Sequence, residues 1–314
     1  MRLPDRAGVF ADLKLCKRMT SIAKFNAKPL YGMEVGTSTI IKEIARGGMA
    51  IVFLAFQRTL KRQIAVKILP KKLLTPKTAD LFQREAEAAA ILAHPNIIPV
   101  YEVGKTDDFL FFTMQLVQGD TLGHYMTAAK KNPIPSKRIL PIKSTLSVII
   151  QVLDALHYAH SQDIVHQDIK PGNIMIEKHT KRPLVMDFGI VQILNSKDED
   201  KPAIRGTPLY MPPEQILSIK VDGRADIYAV GIMLFQMLTV ALPLPEFKSK
   251  TELLKHKLLS KQGIFLKKLS EINPKVDPEL DRILAKALAF ERDHRYPTCQ
   301  DFKADLEDYQ RKYL

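Results

Sequence analysis

Cysteine is scarce in this chain: its 314 residues include only Cys16 and Cys299, far apart in sequence. That excludes a disulfide-stapled scaffold and favours a reducing compartment, so a cytoplasmic location is expected. Acid is in short supply as well. Forty-seven lysines and arginines stand against 34 aspartates and glutamates, a net charge of +13. The balance excludes an acidic solvating tail and favours anionic partners, among them phosphates, acidic proteins, nucleic acid and anionic lipid. The opening stretch MRLPDRAGVFADLKLCKRMTS lacks the apolar run of a secretory signal, and Asp5 and Asp12 speak against a transit peptide. No internal repeat and no low-complexity segment interrupts the chain. With 46% apolar and 26% charged residues, it is neither disordered nor fibrous, and its length suits two domains or one large two-lobed one.

One apolar stretch, Ile227 to Leu244, approaches the length of a membrane span. Tyr228, Gln236 and Thr239 interrupt it and Pro243 cuts its end. It reads as a buried core helix capped by Asp226, and no membrane span is expected.

The texture of the chain divides it into three. Residues 1–37 read as a basic extension without sustained periodicity, one that folds over the β-rich segment after it, touches anionic lipid or is mobile. Residues 38–117 hold β-rich runs on either side of Arg58 to Arg62, then TADLFQREAEAAAILAH, rich in strong helix formers and ended by His94-Pro95. Two more strands follow around a turn at Lys105 to Asp108. Residues 118–314 are mostly helical. Leu146, Ile149, Ile150, Leu153 and Leu156 recur at helical spacing, and helices suit 226–240, 250–260, 278–289 and 299–311. Lys130 to Ser144, with its prolines, reads as a loop. The lysines between Lys248 and Lys275 alternate with leucines, as on a solvated face or a dock for an acidic partner. His157 and His160 stand three apart on a helix, but no second ligand cluster supports a metal there.

The strongest motif is HQDIKPGN, His166 to Asn173. An acid, a lysine two residues on and an asparagine five residues on share one short loop, the set that phosphoryl transfer needs. A carboxylate orients and takes the hydroxyl proton, a cation steadies the transferred group, and an amide oxygen holds a metal. Fourteen residues past Asn173 comes Asp187-Phe188-Gly189, after the apolar run Leu184 to Met186. An aspartate at such a strand end suits Mg²⁺ bridging nucleotide phosphates. Upstream, Lys67 lies in an apolar strand and needs an anion or an exit to solvent, with Glu85 on the following helix as its natural partner. The loop Ala45, Arg46, Gly47, Gly48, Met49, Ala50 between two strands has small residues that let backbone amides approach phosphates.

In this order, these elements resemble the eukaryotic-type protein kinase family, closest to the bacterial serine/threonine protein kinases, over roughly residues 39–310. GGMAIVFLA, HPNIIPVYEVG and GTPLYMPPEQ carry the likeness. The resemblance implies an α+β bilobal fold, with an antiparallel-sheet lobe carrying one helix, a mainly helical lobe, and ATP with Mg²⁺ in the cleft between them. It implies transfer of the γ-phosphoryl group to Ser/Thr hydroxyls of protein substrates. Asp168 matches the catalytic aspartate and Lys170 the phosphate-contacting lysine, while Asn173 and Asp187 match the metal ligands. Lys67 and Glu85 match the strand–helix ion pair. Met114 matches the gatekeeper; Gln115 and Val117 would meet adenine through the backbone, and Val52, Ala65 and Met175 would sandwich its ring. Thr121 falls near the ribose. Asp226 matches the aspartate that braces the catalytic loop, and Glu214 is expected to pair with Arg295. Lys170 together with Thr207 is the serine/threonine pattern.

The chain departs from the family at three places. Ala45 and Ala50 replace glycines in the phosphate loop, which restricts backbone angles and is expected to weaken nucleotide binding. Gln167 replaces the arginine before Asp168, so an activation-loop phosphate, for instance on Ser196, has no charge-assisted fork to grip. Pro212 replaces an alanine and stiffens its loop. A nucleotide-binding scaffold without turnover is the alternative that the first two changes favour, and a receptor kinase spanning a membrane with residues 227–244 is a third. Nucleic-acid partners are not expected, since no zinc spacing or reader motif is present. Nothing in the sequence selects an oligomeric state.

Overall fold

The computed structural model describes residues 22, 24–47, 50–188, 192–193, 207–217, 219 and 221–314. The chain divides into two compact units. One runs up to Ala90 and includes Pro99–Leu116; the other comprises Ile91–Ile98 and Val117–Leu314.

The first unit is built on six antiparallel strands: β1 (Glu34–Val35), β2 (Ser38–Arg46), β3 (Ile51–Gln57), β4 (Arg62–Pro70), β5 (Val100–Lys105) and β6 (Phe109–Met114). Their order across the sheet is β1-β2-β3-β4-β6-β5. In β3, Ile51, Phe53, Ala55 and Gln57 are buried and alternate with more exposed neighbours, the period of a strand with one covered face. Central β4 buries Ile64, Ala65, Val66, Ile68 and Leu69 in near-continuous sequence, so its apolar run needs no alternation. Helix α1 (Pro76–Ile91) follows β4. Thr75 and Thr78 exchange side-chain-to-backbone hydrogen bonds at its start, satisfying two orphan amides. Phe82 of α1 lies 5.2 Å, centroid to centroid, from Phe112 of β6 and anchors the helix to the sheet.

The extension expected to reach residue 37 contributes to this unit. Ile22, Ala27 and Leu30 are buried in its core, and Glu34–Val35 pairs with β2. Residues 1–21 and 23 lie outside the described residues.

The second unit is mainly helical. It contains β7 (Gly119–Thr121), α2 (Leu122–Lys130), α3 (Ile142–Ser161), β8 (Ile164–Val165), β9 (Ile174–Glu177), β10 (Pro183–Val185) and β11 (Gln192–Ile193). Then follow α4 (Pro213–Ile216), α5 (Arg224–Met237), α6 (Lys250–Leu259), α7 (Leu269–Ile272), α8 (Pro278–Ala287) and α9 (Cys299–Tyr313). Strands β10, β9 and β7 form one small sheet, and β11 pairs with β8. Helix starts follow their cap chemistry: Ser249, Asp277 and Thr298 each accept an amide of the first turn, Thr298 in a capping box with Asp301.

The apolar stretch 227–244 is no span. Its helical part belongs to α5, which has 14 residues and is buried on nearly every side, as an all-round apolar helix must be. Asp226 is not the cap expected of it. The residue lies inside the first turn, Gly223 stands at the cap position without a side-chain bond, and the Asp226 carboxylate is used elsewhere. Among the described residues, the one helix long and apolar enough to cross a membrane is Pro135–Ser161. Its α3 portion buries Leu146, Ile149, Val152, Leu153 and Leu156 and packs on α9 and α5, which makes it a core helix.

Gly119 marks the tightest backbone approach in the small sheet. A Cβ there would stand 2.0 Å from the carbonyl oxygen of Ile176. Gly119→Ala is expected to cost about 1–3 kcal/mol, lowering Tm by roughly 2–10 °C in a thermal melt. An unchanged Tm would contradict the packing described for β7 on β9.

Candidate active site

The second unit gathers the residues of the HQDIKPGN loop. After β8 the chain turns sharply, and Gln167 adopts left-handed backbone, φ 62°, a conformation costly for a residue with a side chain. What holds it is a buried carboxylate. Asp226 of α5, 0% exposed, accepts the His166 amide at 2.9 Å and the Gln167 amide at 2.8 Å. His160 of α3 donates from Nε2 to the same carboxylate at 2.8 Å. On its other side, His160 Nδ1 is 3.7 Å from the buried Cys299 thiol. Gln215 adds a further brace, donating to the Gln167 carbonyl at 3.0 Å.

Above this floor stands Asp168. Its amide donates to His166 Nδ1 at 3.2 Å, while His166 Nε2 donates to Met186 O at 3.0 Å, so one bond on each ring nitrogen fixes the tautomer. The His166 ring lies 4.7 Å from that of Phe188. Lys170 Nζ donates to Asp168 Oδ2 at 2.5 Å and to Thr207 Oγ1 at 3.0 Å. Thr207 donates to Asp168 Oδ1 from its amide at 2.9 Å and from its hydroxyl at 3.1 Å. The turn Pro171–Asn173 brings the Asn173 amide nitrogen back to Asp168, 2.9 Å from its carbonyl and 3.2 Å from Oδ2. With its nitrogen so engaged, the Asn173 side-chain oxygen is left to accept or to ligate. Asp187 also has left-handed backbone, φ 60°, after β10. Met175 lies half-buried on β9, opposite Thr121 of β7, and Thr121 caps α2. Val117 is half-buried at the start of the segment leading to β7.

Among the described residues, no group of three or more His, Cys, Asp or Glu could hold a metal by itself. One carboxylate and one amide oxygen are nevertheless the protein share of an Mg²⁺ site that phosphates and water complete, so Asp187 and Asn173 fit that ion.

Further along the chain, Glu214 of α4 and Arg295 form a bidentate pair at 2.7 and 2.9 Å, with Arg295 3% exposed. Complete desolvation is offset here by the fork geometry and by bonds from Arg295 to the carbonyls of Ala289, Phe290 and Arg224.

The other expected residues belong to the first unit. Lys67 of β4 lies 2.5 Å from Glu85 of α1, whose carboxylate is buried. Val52 pairs in register with Lys67, and Ala65 with Leu54 and Met114. The Gln115 amide donates to Pro99 O at 3.2 Å. Ala45 is exposed next to the end of β2, Gly47 donates its amide to Ala50 O at 2.9 Å, and Ala50 is buried. Gly48 and Met49 lie outside the described residues, as do Gly189, Ser196 and Gly206. The Arg46 side chain turns to the N-terminal segment, donating to Ile22 O at 2.6 Å and Phe25 O at 2.8 Å while gripping Glu43.

Sequence reasoning missed the joining of His160 to Cys299. Their separation of 139 positions leaves no local signal.

Burial opposes charge on His160, but the Cys299 sulfur and the Asp226 carboxylate outweigh it and raise its pKa from 6.5 to about 10. Because the folded-state value is the higher, the stabilisation is whole below about pH 6.5 and is lost as pH rises through about 10. The Tm difference between the native chain and His160→Gln should therefore be larger near pH 6 than near pH 10.5. Equal differences at both would contradict a charged His160.

Residues 38–305 match the family model described as "Protein kinase domain". The chain is 36% identical over 274 residues to the serine/threonine-protein kinase PrkC of Bacillus subtilis, covering 87% of this chain and 40% of that protein. It is 36% identical over 284 residues to the serine/threonine-protein kinase pkn3 of Myxococcus xanthus, covering 84% and 48%. It thus spans two-fifths to half the length of these curated relatives. Among solved structures, the PknI kinase domain of Mycobacterium tuberculosis superposes with a TM-score of 0.68 at 26% identity, over 89% of this chain and 98% of that one. Two units, one an antiparallel sheet with a helix and one mainly helical, thus have a solved counterpart, and the chain belongs to the protein kinase domain family.

Proposed function

We propose that this chain is a serine/threonine protein kinase that transfers the γ-phosphoryl group of ATP to hydroxyls of protein substrates. The observation that carries the reading is the convergence of Lys170, Asn173 and Thr207 on the Asp168 carboxylate. Asp168 orients the acceptor hydroxyl and receives its proton. Lys170, which reaches both Asp168 and Thr207, neutralises charge on the transferred group. Mg²⁺ held by Asn173 and Asp187 would supply charge compensation for the phosphates. Lys67, braced by Glu85, is the group for the α and β phosphates of the nucleotide. Catalysis of this kind is mostly positioning and charge stabilisation, so the hydrogen bonds that fix Asp168 matter as much as its basicity. The scarcity of cysteine and the free thiol at Cys299 suit a reducing cytoplasm.

The catalytic loop is of the type without arginine before the aspartate. Gln167 is neutral and its backbone is held by Asp226 and Gln215, independently of any activation-segment phosphate. Phosphate on Ser196 is therefore expected to change activity less than about twofold. A large rise that Ser196→Ala abolishes would contradict this.

The decisive test is phosphate incorporation into a generic basic protein acceptor with Mg-ATP, mapped by mass spectrometry beside Asp168→Asn. Phosphoserine or phosphothreonine from the native chain, reduced at least about 100-fold in the variant, is the expected result. Nucleotide bound without any transfer would favour the scaffold reading, which the alanines at positions 45 and 50 support.

A further inference from the structure

Lys257 is a buried lysine with no role in the chemistry described so far. It lies on α6 three residues after Leu254, on the face that carries Leu254 and Leu258 against Met211 and Ile216. Its residue exposure is 2%. A lysine at such a place normally extends its amine to water. Here Nζ turns inward and donates to Leu209 O at 2.5 Å and Pro208 O at 3.3 Å. The amine stands 5.0 Å from the centre of the Tyr228 ring of α5. Among the described residues, no carboxylate lies within ion-pair distance of it: Glu214, the nearest source of negative charge, is occupied by Arg295. Burial, and then Arg295, push the Lys257 pKa well below its ordinary value, with Glu214 opposing. An apolar side chain would fill this space without that desolvation cost. What it would lack is a donor for two backbone carbonyls.

Those carbonyls belong to the two residues directly after Thr207. Thr207 binds Asp168 through its amide and hydroxyl and accepts from Lys170. A continuous path therefore runs from α6 through Lys257 and the Pro208–Leu209 backbone to the carboxylate at the centre of the site. We propose that Lys257 is a positioning residue for the protein acceptor: its amine locks the 207–209 backbone to α6 and so sets Thr207 against Asp168 and Lys170. The proposal rests on the protein kinase reading above. It concerns the acceptor, not the nucleotide.

The test uses the full chain with Lys257→Met, which keeps length and loses the donors, and Lys257→Gln, which keeps a donor and serves in parallel should the methionine variant not fold. Amide hydrogen exchange at Thr207 and Tyr210 is read together with steady-state kinetics on a protein acceptor. In the methionine variant, exchange at both amides should rise about tenfold, with acceptor kcat/KM falling about tenfold, mainly through kcat, while KM for ATP stays within about twofold. The glutamine variant should lie between the methionine variant and the native chain. Unchanged exchange and unchanged acceptor kcat/KM would overturn the proposal. A parallel loss for ATP and acceptor together with a large drop in Tm would also overturn it, as the mark of a merely structural lysine. If the native chain transferred no phosphate, the kinase reading would fail, and the exchange at Thr207 would still decide whether Lys257 fixes this segment.

Discussion

The structure of the candidate site depends on one buried carboxylate. Asp226 has no solvent exposure and yet stays charged, since His160 and the amides of His166 and Gln167 together outweigh the burial that would protonate it. Its two oxygens meet consecutive amides of the loop at the point where Gln167 takes left-handed backbone. The buried charge thus holds the strained turn in place. Remove the carboxylate, and two amides and a histidine lose their partner in a dry interior, a large penalty per group.

A similar logic recurs away from that loop. Arg295 is fully desolvated and is tolerated because Glu214 meets it with both oxygens and three carbonyls take its remaining donors. Lys67 sits in an apolar strand, and Glu85 supplies the charge that makes its burial bearable. In each case a polar group inside the molecule is paired, and in each case the pairing fixes a segment against a helix. Apolar packing shapes the two units, while these few ionic contacts determine which backbone conformations their loops keep.

The fold was largely legible in the sequence because its signals are local. Alternation in β3, the helix formers of α1 and the periodic leucines of α3 lie within single windows and predict their elements to within a few residues. Helix α3 begins at Ile142, inside a stretch that prolines made read as a loop, because Pro141 itself takes the cap position and continues into the helix. Asp168, Lys170 and Asn173 were legible as a group, since residues so close on one turn cannot be far apart in space. The sequence left open whether the N-terminal segment packs on the first unit, and the grip of Arg46 on its carbonyls was not legible, for backbone carbonyls leave no trace in a sequence. Nor was Lys257 distinguishable from the lysines around it: two residues separate the exposed Lys255 from the buried Lys257.

On the kinase reading proposed above, Asp226 serves transfer by positioning Asp168 through the His166 and Gln167 amides, and not by binding nucleotide. Single-turnover phosphorylation of a protein acceptor by Asp226→Asn, with ATP affinity measured separately by titration, tests it most directly. The transfer rate should fall about 100-fold or more, the size of effect that a misplacement of about 1 Å produces, with nucleotide affinity within about twofold. An unchanged transfer rate in a folded Asp226→Asn chain would contradict it.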